Sequence, residues 1–416
     1  MADALQTFIS ILLPIAMVAC GSVVVTMKKL QFQQIVPGKI VKPHPFRKPC
    51  FQVLMLQFAE TLCLIWFACI MCYRKRKEKK RSNALLENED NDNDGNLNQN
   101  PQGKKESKAK FILLLCVRML IPAILDLCCS ISASFAILLA PPSLMEVLTC
   151  SIIIFSPFWN ILFLKRRYNC YQVSSVLIAL AGAALASCSS LLTPSKSGEN
   201  PVLGVILMLI GQLASSFQYV IEEKLMFKRR YEPALAMGTE GCLGIVMMVI
   251  LLTIFQVIPG KENGSVENTL DSFVQISNSS NLQIFIPVYT AAAHCFLFSG
   301  INVTRRFSSL HRVLLSACKA ALVWIIQLIL HPATGGKTGE VWKTDSSLMQ
   351  LFGFLTLITG NVCFQVSTAR KMKQMKLKQK EAQQQENEAQ KLEQVSQQQA
   401  QESITSGDNI RPSSQE

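Results

Sequence analysis

Three ionisable side chains interrupt long apolar runs of this 416-residue chain: Glu60 within 51–73, Asp126 within 119–140 and Lys319 within 313–330. A charge held at the centre of a bilayer costs about 2.5–3.5 kcal/mol on insertion scales, so it is retained facing a cavity or a partner. Glu60, near the middle of its run, can carry a coupling proton or cation, or can serve as half of a buried ion pair. Lys319, about two turns into its run, can hold an anionic solute as a point charge, although its long stem equally permits snorkelling to an interface. Asp126, also about two turns in, is too short to snorkel.

Other candidates stand at the ends of such runs. Glu240 sits between glycines at the start of 236–258, where it can cap a helix or gate an opening. Glu222 and Glu223 close the run 202–221, where carboxylates oppose the helix dipole. They read as solvated interface residues or as a salt-bridge gate with Lys224 or Arg312. Glu146, one turn past Pro142, marks an interface. His294, alone in an apolar stretch, reads first as a hydrogen-bonded core residue and second as a site. Cys69 and Cys72 form a C-x-x-C without a second pair, too little for a zinc or redox centre. The chain has no H-E-x-x-H, G-x-x-x-x-G-K-[ST] or G-x-S-x-G. An enzyme, a direct ATP drive, a metal and a cofactor are therefore not expected.

These residues must be positioned by membrane-spanning helices. Half of the residues are hydrophobic and only 17% charged, with mean hydropathy +0.28, an apolar excess too large for one soluble core. The fifteen cysteines are mostly single residues inside apolar runs, where they behave as small hydrophobes. A span needs about 20 apolar residues. That window predicts an all-α membrane protein with about ten helices, over 5–27, 51–73, 119–140, 143–164, 173–192, 202–221, 236–258, 282–300, 313–330 and 348–366. Pro141 and Pro142 separate the third and fourth as a tight hairpin. The first run lacks a basic n-region and is too long for a signal peptide, so it is expected to be retained.

The net charge of +13 does not indicate nucleic acid, because the charges bracket the spans. Basic groups at 74–81, 165–167, 228–230, 305–312 and 370–380 fall on one side, which the positive-inside rule makes cytosolic, with both termini. The first, non-cytosolic connection also carries Lys28, Lys29, Lys39, Lys42, Arg47 and Lys48, a cluster without explanation at this level. Asn263 and Asn278 are sequons in the seventh connection, where glycosylation is expected; Asn302 lies on the cytosolic side and is expected to stay unmodified. The polar stretch 82–110 reads as a disordered cytosolic loop, and the tail 369–416 as a frayed helix or disordered.

Two sets of five spans resemble one another. The small-residue texture of the fifth, from Val173, recurs in the tenth, from Leu351, and each follows a bulky segment around Trp159 or Trp324. Five is odd, so the second copy enters the membrane from the opposite side, giving an inverted repeat with its site near the midplane. The repeats are expected over 1–192 and 193–368.

Several stretches carry a family likeness: 219–224 (Tyr-Val-Ile-Glu-Glu-Lys), Gly238-Thr239-Glu240-Gly241, His44-Pro45-Phe46 and Ala59-Glu60. Residues 151–155, Gly300-Ile301-Asn302-Val303-Thr304 and the run from Arg312 to Trp324, with Lys319 at a basic position, add to it. Together they resemble the drug/metabolite transporter superfamily, in the F-type subfamily of solute carrier family 35. The likeness departs at Thr149, where relatives carry arginine, and at Ser316, where they carry an acidic residue. It implies the drug/metabolite transporter fold, ten helices in a 5+5 inverted repeat, and carriage of a small organic solute. A nucleotide-sugar or other organic anion is in view, and the endomembranes, lysosomal or Golgi-like, are favoured over the plasma membrane. The expected partners are the lipid bilayer and the solute, not nucleic acid; a homodimer stays open. The competing reading is a non-transporting membrane scaffold or receptor.

Overall fold

The computed structural model describes residues 2–39, 43–86, 101–139, 148–191, 201–229, 231–260, 264–335, 339 and 341–407. Twelve described helices and one short hairpin follow in chain order. They are α1 (Ala2–Gln33), β1 (Ile35–Pro37), β2 (Pro43–Pro45), α2 (Pro49–Thr61), α3 (Cys63–Leu86), α4 (Pro101–Leu139), α5 (Ile152–Leu164) and α6 (Cys170–Leu191). Then come α7 (Pro201–Arg229), α8 (Pro233–Val257), α9 (Thr269–Ser277), α10 (Ser280–Arg306), α11 (Ser309–Ala333) and α12 (Thr344–Gly407).

Among the described residues, eight helical stretches are long and apolar enough to span a bilayer. The shorter apolar helices Ile152–Leu164 and Cys170–Ala186 lie where the fourth and fifth spans are predicted. Burial follows the logic of lipid. Large side chains such as Phe158, Ile161, Val249, Ile250, Phe352 and Leu355 face outward, while Gln57, Glu60, Asp126, Gln218 and Glu240 are buried. A chain that exposes apolar groups and hides polar ones is built for an apolar surround. It is an α-helical multi-pass membrane protein.

Several predicted boundaries move. The first helix continues past 27 to Gln33, so Lys28 and Lys29 belong to α1 and not to the connection after it. The third span begins earlier than 119, at Lys110, which places Asp126 near its middle rather than two turns in. The second lies within one apolar helical stretch, Pro49–Glu78, in which a one-residue turn at Leu62, still helical in backbone, separates α2 from α3. Arg312, expected in a cytosolic connection, lies in the first turn of α11, buried. Of the stretch 82–110, α3 occupies the start through Leu86 and α4 the end from Pro101; residues 87–100 are outside the described set. The tail continues α12 as helix through Gly407.

Helices pair closely through small residues. α6 lies along α12, α4 along α7, α1 along α10 and α2 along α8. α1 also meets α11, α5 meets α7 and α11, α8 meets α4, and α2 meets α10. At the α6–α12 crossing a Cβ on Gly353 would sit 2.6 Å from Ala186 Cα, and one on Gly182 would sit 2.8 Å from Leu357 Cα. Backbones this close pack by van der Waals contact, which is what associates helices in lipid. Ile153, Ala179, Val313, Leu314, Leu357 and Phe364 fill the core where α5, α6, α11 and α12 meet.

The two ends of the bundle differ in chemistry. At one end the predicted basic groups meet: Arg74 pairs with Glu232 at 2.8 Å, Arg305 donates to the Tyr231 carbonyl at 2.6 Å, and Lys371 donates to the Arg167 carbonyl at 2.8 Å. The other end holds the hairpin, in which Val36 faces His44, and α9. There Asp271 accepts from the Lys39 amide at 2.7 Å, His44 Nε2 at 2.8 Å and Lys48 Nζ at 3.0 Å. Glu267 receives the amides of Cys50 and Phe51 at 2.8 and 2.7 Å, satisfying the start of α2. The basic first connection thus serves the fold, because it clamps the hairpin onto α9. Burial alone would push the Asp271 carboxyl up, but the Lys39 amide, Lys48 and His44 hold it below the usual carboxylate range. Its stabilising effect is complete above the ordinary carboxylate value and is lost only as pH falls through the depressed one.

Lys48 and Asp271 have no solvent-exposed side-chain surface. Removing one partner strands a buried charge, so Lys48→Met is expected to cost about 3–5 kcal/mol. Thermal unfolding of the purified protein checks this: the melting temperature falls in Lys48→Met and recovers in part when Asp271→Leu is added. An unchanged melting temperature in the single variant contradicts the clamp.

Candidate functional site

The turn between α2 and α3 lies just past Glu60. Gly241 and Gly244 present a groove on α8 into which α2 settles, and Gly238 makes room for Leu64 of α3; a Cβ on Gly241 would lie 2.6 Å from Glu60 Cβ. The Ala59 carbonyl beside the turn accepts from His294 Nδ1 at 2.9 Å, while Trp66 Nε1 donates to His294 Nε2 at 2.8 Å. Those two partners assign His294 the neutral tautomer protonated on Nδ1. His294 therefore braces the turn from behind and does not enter the cluster.

Inside the bundle, Asp126 accepts from Gln57 Nε2 at 2.5 Å and Gln218 Nε2 at 3.3 Å. The same Gln218 nitrogen lies 2.9 Å from Glu222 Oε1 and 2.8 Å from Glu240 Oε1, so one amide links three carboxyl groups. Arg312 Nη1 donates to Glu222 Oε2 at 2.5 Å, and its guanidinium lies 3.9 Å from the centre of the Tyr219 ring. Gly300 makes room for it, since a Cβ there would stand 3.0 Å from Arg312 Nε. Planar stacking and a fixed fork suit arginine to such a place, and lysine would not replace it.

Of the four carboxyl groups only Glu222 contacts Arg312, while Glu60, Asp126 and Glu240 lie within its electrostatic range. Glu60 Oε2 and Glu240 Oε2 are buried with no hydrogen-bond partner among the described residues. Glu60 is 1% exposed and Glu240 fully buried. Buried polar atoms are nearly always paired, so two unpaired carboxyl oxygens in one cluster mark a place able to receive a proton, a cation or a polar group.

Glu223 belongs to a second layer toward the basic end. It pairs with Arg166 and accepts the Ser309 amide at 2.7 Å. Both glutamates are buried rather than solvated, and each has its own arginine. Lys224, the alternative partner for Glu222, instead lies over the Phe163 ring at 5.6 Å.

Lys319 adjoins the cluster without an ion-pair partner among the described residues. Its ammonium stands 5.0 Å over the Phe296 ring and within electrostatic range of Arg312 and Cys129. Lys28 interacts with the same Cys129 and with Lys319, and its Nζ donates to Ser134 Oγ at 2.9 Å. It too has no carboxylate partner among the described residues. Two half-buried ammonium groups therefore lie near Cys129, which is itself within electrostatic range of Asp126.

The structure brings together Glu60, Asp126, Glu222, Glu240 and Arg312, with Lys319 beside them. Glu146 and Asn263 lie outside the described residues. Asn278 is exposed at the end of α9, where its amide donates to the Pro37 carbonyl at 2.9 Å. Asn302 is half-buried within α10 and donates to the Phe298 carbonyl at 2.7 Å. Gln57, Gln218 and Tyr219 are the residues that reading the sequence for charge left out, and Lys28 is assigned there to the connection after the first span. The signal available was spacing: Gln57 precedes Glu60 by three and Gln218 precedes Glu222 by four, the separations that share a helix face.

Arg312→Met leaves Glu222 buried beside a missing cation and is expected to cost about 3–5 kcal/mol. Glu60→Gln keeps shape, and its Oε2 has no hydrogen bond to lose, so the melting temperature should hold or rise. Thermal unfolding of both variants checks the pair; equal losses would contradict this arrangement.

The family model described as solute carrier family 35, in its F-type form, matches residues 120–271, which include Asp126, Gln218, Glu222, Glu223 and Glu240. Human solute carrier family 35 member F6 is 27% identical over 251 residues, covering 58% of this chain and 65% of that protein. The chain thus spans slightly under two thirds of that relative's length. The rat member F6 is 26% identical over 329 residues, covering 77% of this chain and 78% of it. A protein of known crystal structure superposes with a TM-score of 0.50 at 12% identity, over 87% of this chain and 98% of that one; this likeness concerns the fold alone. The matched segment runs through the carboxyl cluster, and over it the chain is similar to the F-type branch of solute carrier family 35.

Proposed function

We propose that this protein is a secondary carrier that moves a small organic anion across an endomembrane by alternating access. The observation that carries the reading is the central cluster, in which Glu60 and Glu240 each keep a buried carboxyl oxygen without a partner among the described residues, with Lys319 within electrostatic range of Arg312 and Lys28 beyond it. In this reading the two ammonium groups attract the anionic part of the solute, a nucleotide-sugar or related anion being the class to test. Glu60 and Asp126 exchange the coupling proton. The pairs Glu222–Arg312 and Glu223–Arg166 form successive layers of a gate toward the basic end. A scaffold gives no reason to keep unpaired carboxyl oxygens at membrane depth.

Helix pairing favours an inverted 5+5 repeat. Number the ten apolar segments in chain order, with α2 and α3 as one, and exchange each with the one five places on. The pair α1–α10 then becomes α7–α4, α1–α11 becomes α7–α5, and α2–α10 becomes α8–α4, all of which are neighbours. The pairs α2–α8, α5–α11 and α6–α12 map onto themselves. Glu60 and Glu240 come from the two segments that exchange with one another, as expected for a site on the axis relating two halves.

The test is uptake into proteoliposomes against a panel including nucleotide-sugars, with and without a pH gradient. Lys28→Ala and Lys319→Ala should raise KM about tenfold or more, as expected for losing a charge-assisted contact. Glu60→Gln should retain exchange but lose the response to the gradient. If wild type accumulates no member of the panel, or all three variants match wild type, the reading fails.

Sidedness has its own test. By the positive-inside rule the basic end, with both termini, is cytosolic and the hairpin end faces the lumen. Asn263→Gln combined with Asn278→Gln should then abolish a glycan-dependent gel shift, and Asn302→Gln should not. The opposite pattern would invert the topology.

A further inference from the structure

At the basic end, α5 and α7 diverge around a cavity of about 440 Å³ lined by Phe163, Arg166, Glu223, Lys224, Phe227 and Lys228. Its charge is unbalanced. The single carboxylate, Glu223, is already engaged by Arg166 and by the Ser309 amide. Lys224 and Lys228, four apart and so on one face of α7, have no carboxylate partner among the described residues. The cavity therefore presents two ammonium groups without a carboxylate partner among the described residues, that of Lys224 lying over the Phe163 ring.

Its position selects the ligand. Lys228 ends the apolar stretch Val202–Lys228, which places the cavity at the membrane boundary. Its apolar walls are open: Phe227 is 52% and Phe163 36% exposed, continuous with the exposed Phe158, Ile161 and Leu162 of α5. Phenyl rings left bare at that depth meet acyl chains, while lysine stems lift their charges into the headgroup layer. A soluble anion would use the lysines and leave the rings without a partner. The geometry points to a binding site for the phosphorylated headgroup of an anionic phospholipid, seated between Lys224 and Lys228 with its chains along Phe163 and Phe227. Basic pockets between spanning helices on the cytosolic face are suited to such headgroups.

This site is separate from the central cluster, and its test needs no transported solute. The full chain is placed in phosphatidylcholine nanodiscs containing a small fraction of phosphatidylinositol 4-phosphate, and lipid retained after detergent extraction is counted by native mass spectrometry. Two lysines should give the anionic lipid about a thirtyfold preference over phosphatidylcholine. Lys224→Ala with Lys228→Ala should remove that preference, and Lys224→Arg with Lys228→Arg should keep it. Both side chains are exposed, so the fold tolerates the changes. Retention without preference, or preference that survives the double alanine variant, overturns the site. Equal competition by soluble inositol 1,4-bisphosphate would show a site for a free anion and overturn it as well.

Discussion

A guanidinium buried inside the helix bundle must be neutralised where it stands, and Arg312 dictates much of what surrounds it. Glu222 supplies the counter-charge, Tyr219 the flat surface beneath it, and Gly300 the space. Ser308 turns the chain into α11 one turn before Arg312, accepting the His311 amide at 3.3 Å. Because Glu222 is held, its neighbour Gln218 is held too, and through that one amide α7 reaches Asp126 on α4 and Glu240 on α8. The arrangement is over-supplied with carboxyl groups for a single arginine. That excess is stable only because α2 and α8 approach closely enough to bury it, which Gly241 and Gly244 of α8 permit.

Such a cluster is costly if it does no more than hold helices together. Apolar residues of similar size would pack as well without desolvating charges. The protein also has a purely structural ion pair for comparison, Lys48 with Asp271 at the hairpin end, where the carboxylate has three donors and no orphaned oxygen is evident. The carboxylate at the periphery is saturated with donors, while Glu60 and Glu240 at the centre each keep an oxygen without a partner among the described residues.

Much of this was legible in the residues. Length and hydropathy located the spans, and charge within them singled out Glu60, Asp126, Glu222, Glu240 and Arg312, five members of one cluster. Spacing along one chain could not pair them. Whether Glu222 would meet Lys224 or Arg312 depends on how α11 crosses α7, a tertiary fact with no local signature. Lys28 was misplaced because the apolar run weakens before the helix ends, and polar residues late in a span do not terminate it when neighbours satisfy them. The turn at Leu62 has neither proline nor glycine to announce it; it lies beside the Ala59 carbonyl that His294 holds. The hairpin clamp was invisible for a related reason, since Lys48 and Asp271 are far apart in the chain.

The central claim is that the Glu222–Arg312 pair closes the basic end of a carrier that can open there. The most direct measurement is double electron–electron resonance on a cysteine-depleted protein. One spin-label pair would be placed at Tyr73 and Tyr171, exposed at the basic end, and another at Ile35 and Val341, exposed at the hairpin end. Releasing the pair with Glu222→Gln is predicted to lengthen the first distance and shorten the second. Both distances unchanged, or both moving in the same direction, would contradict the account.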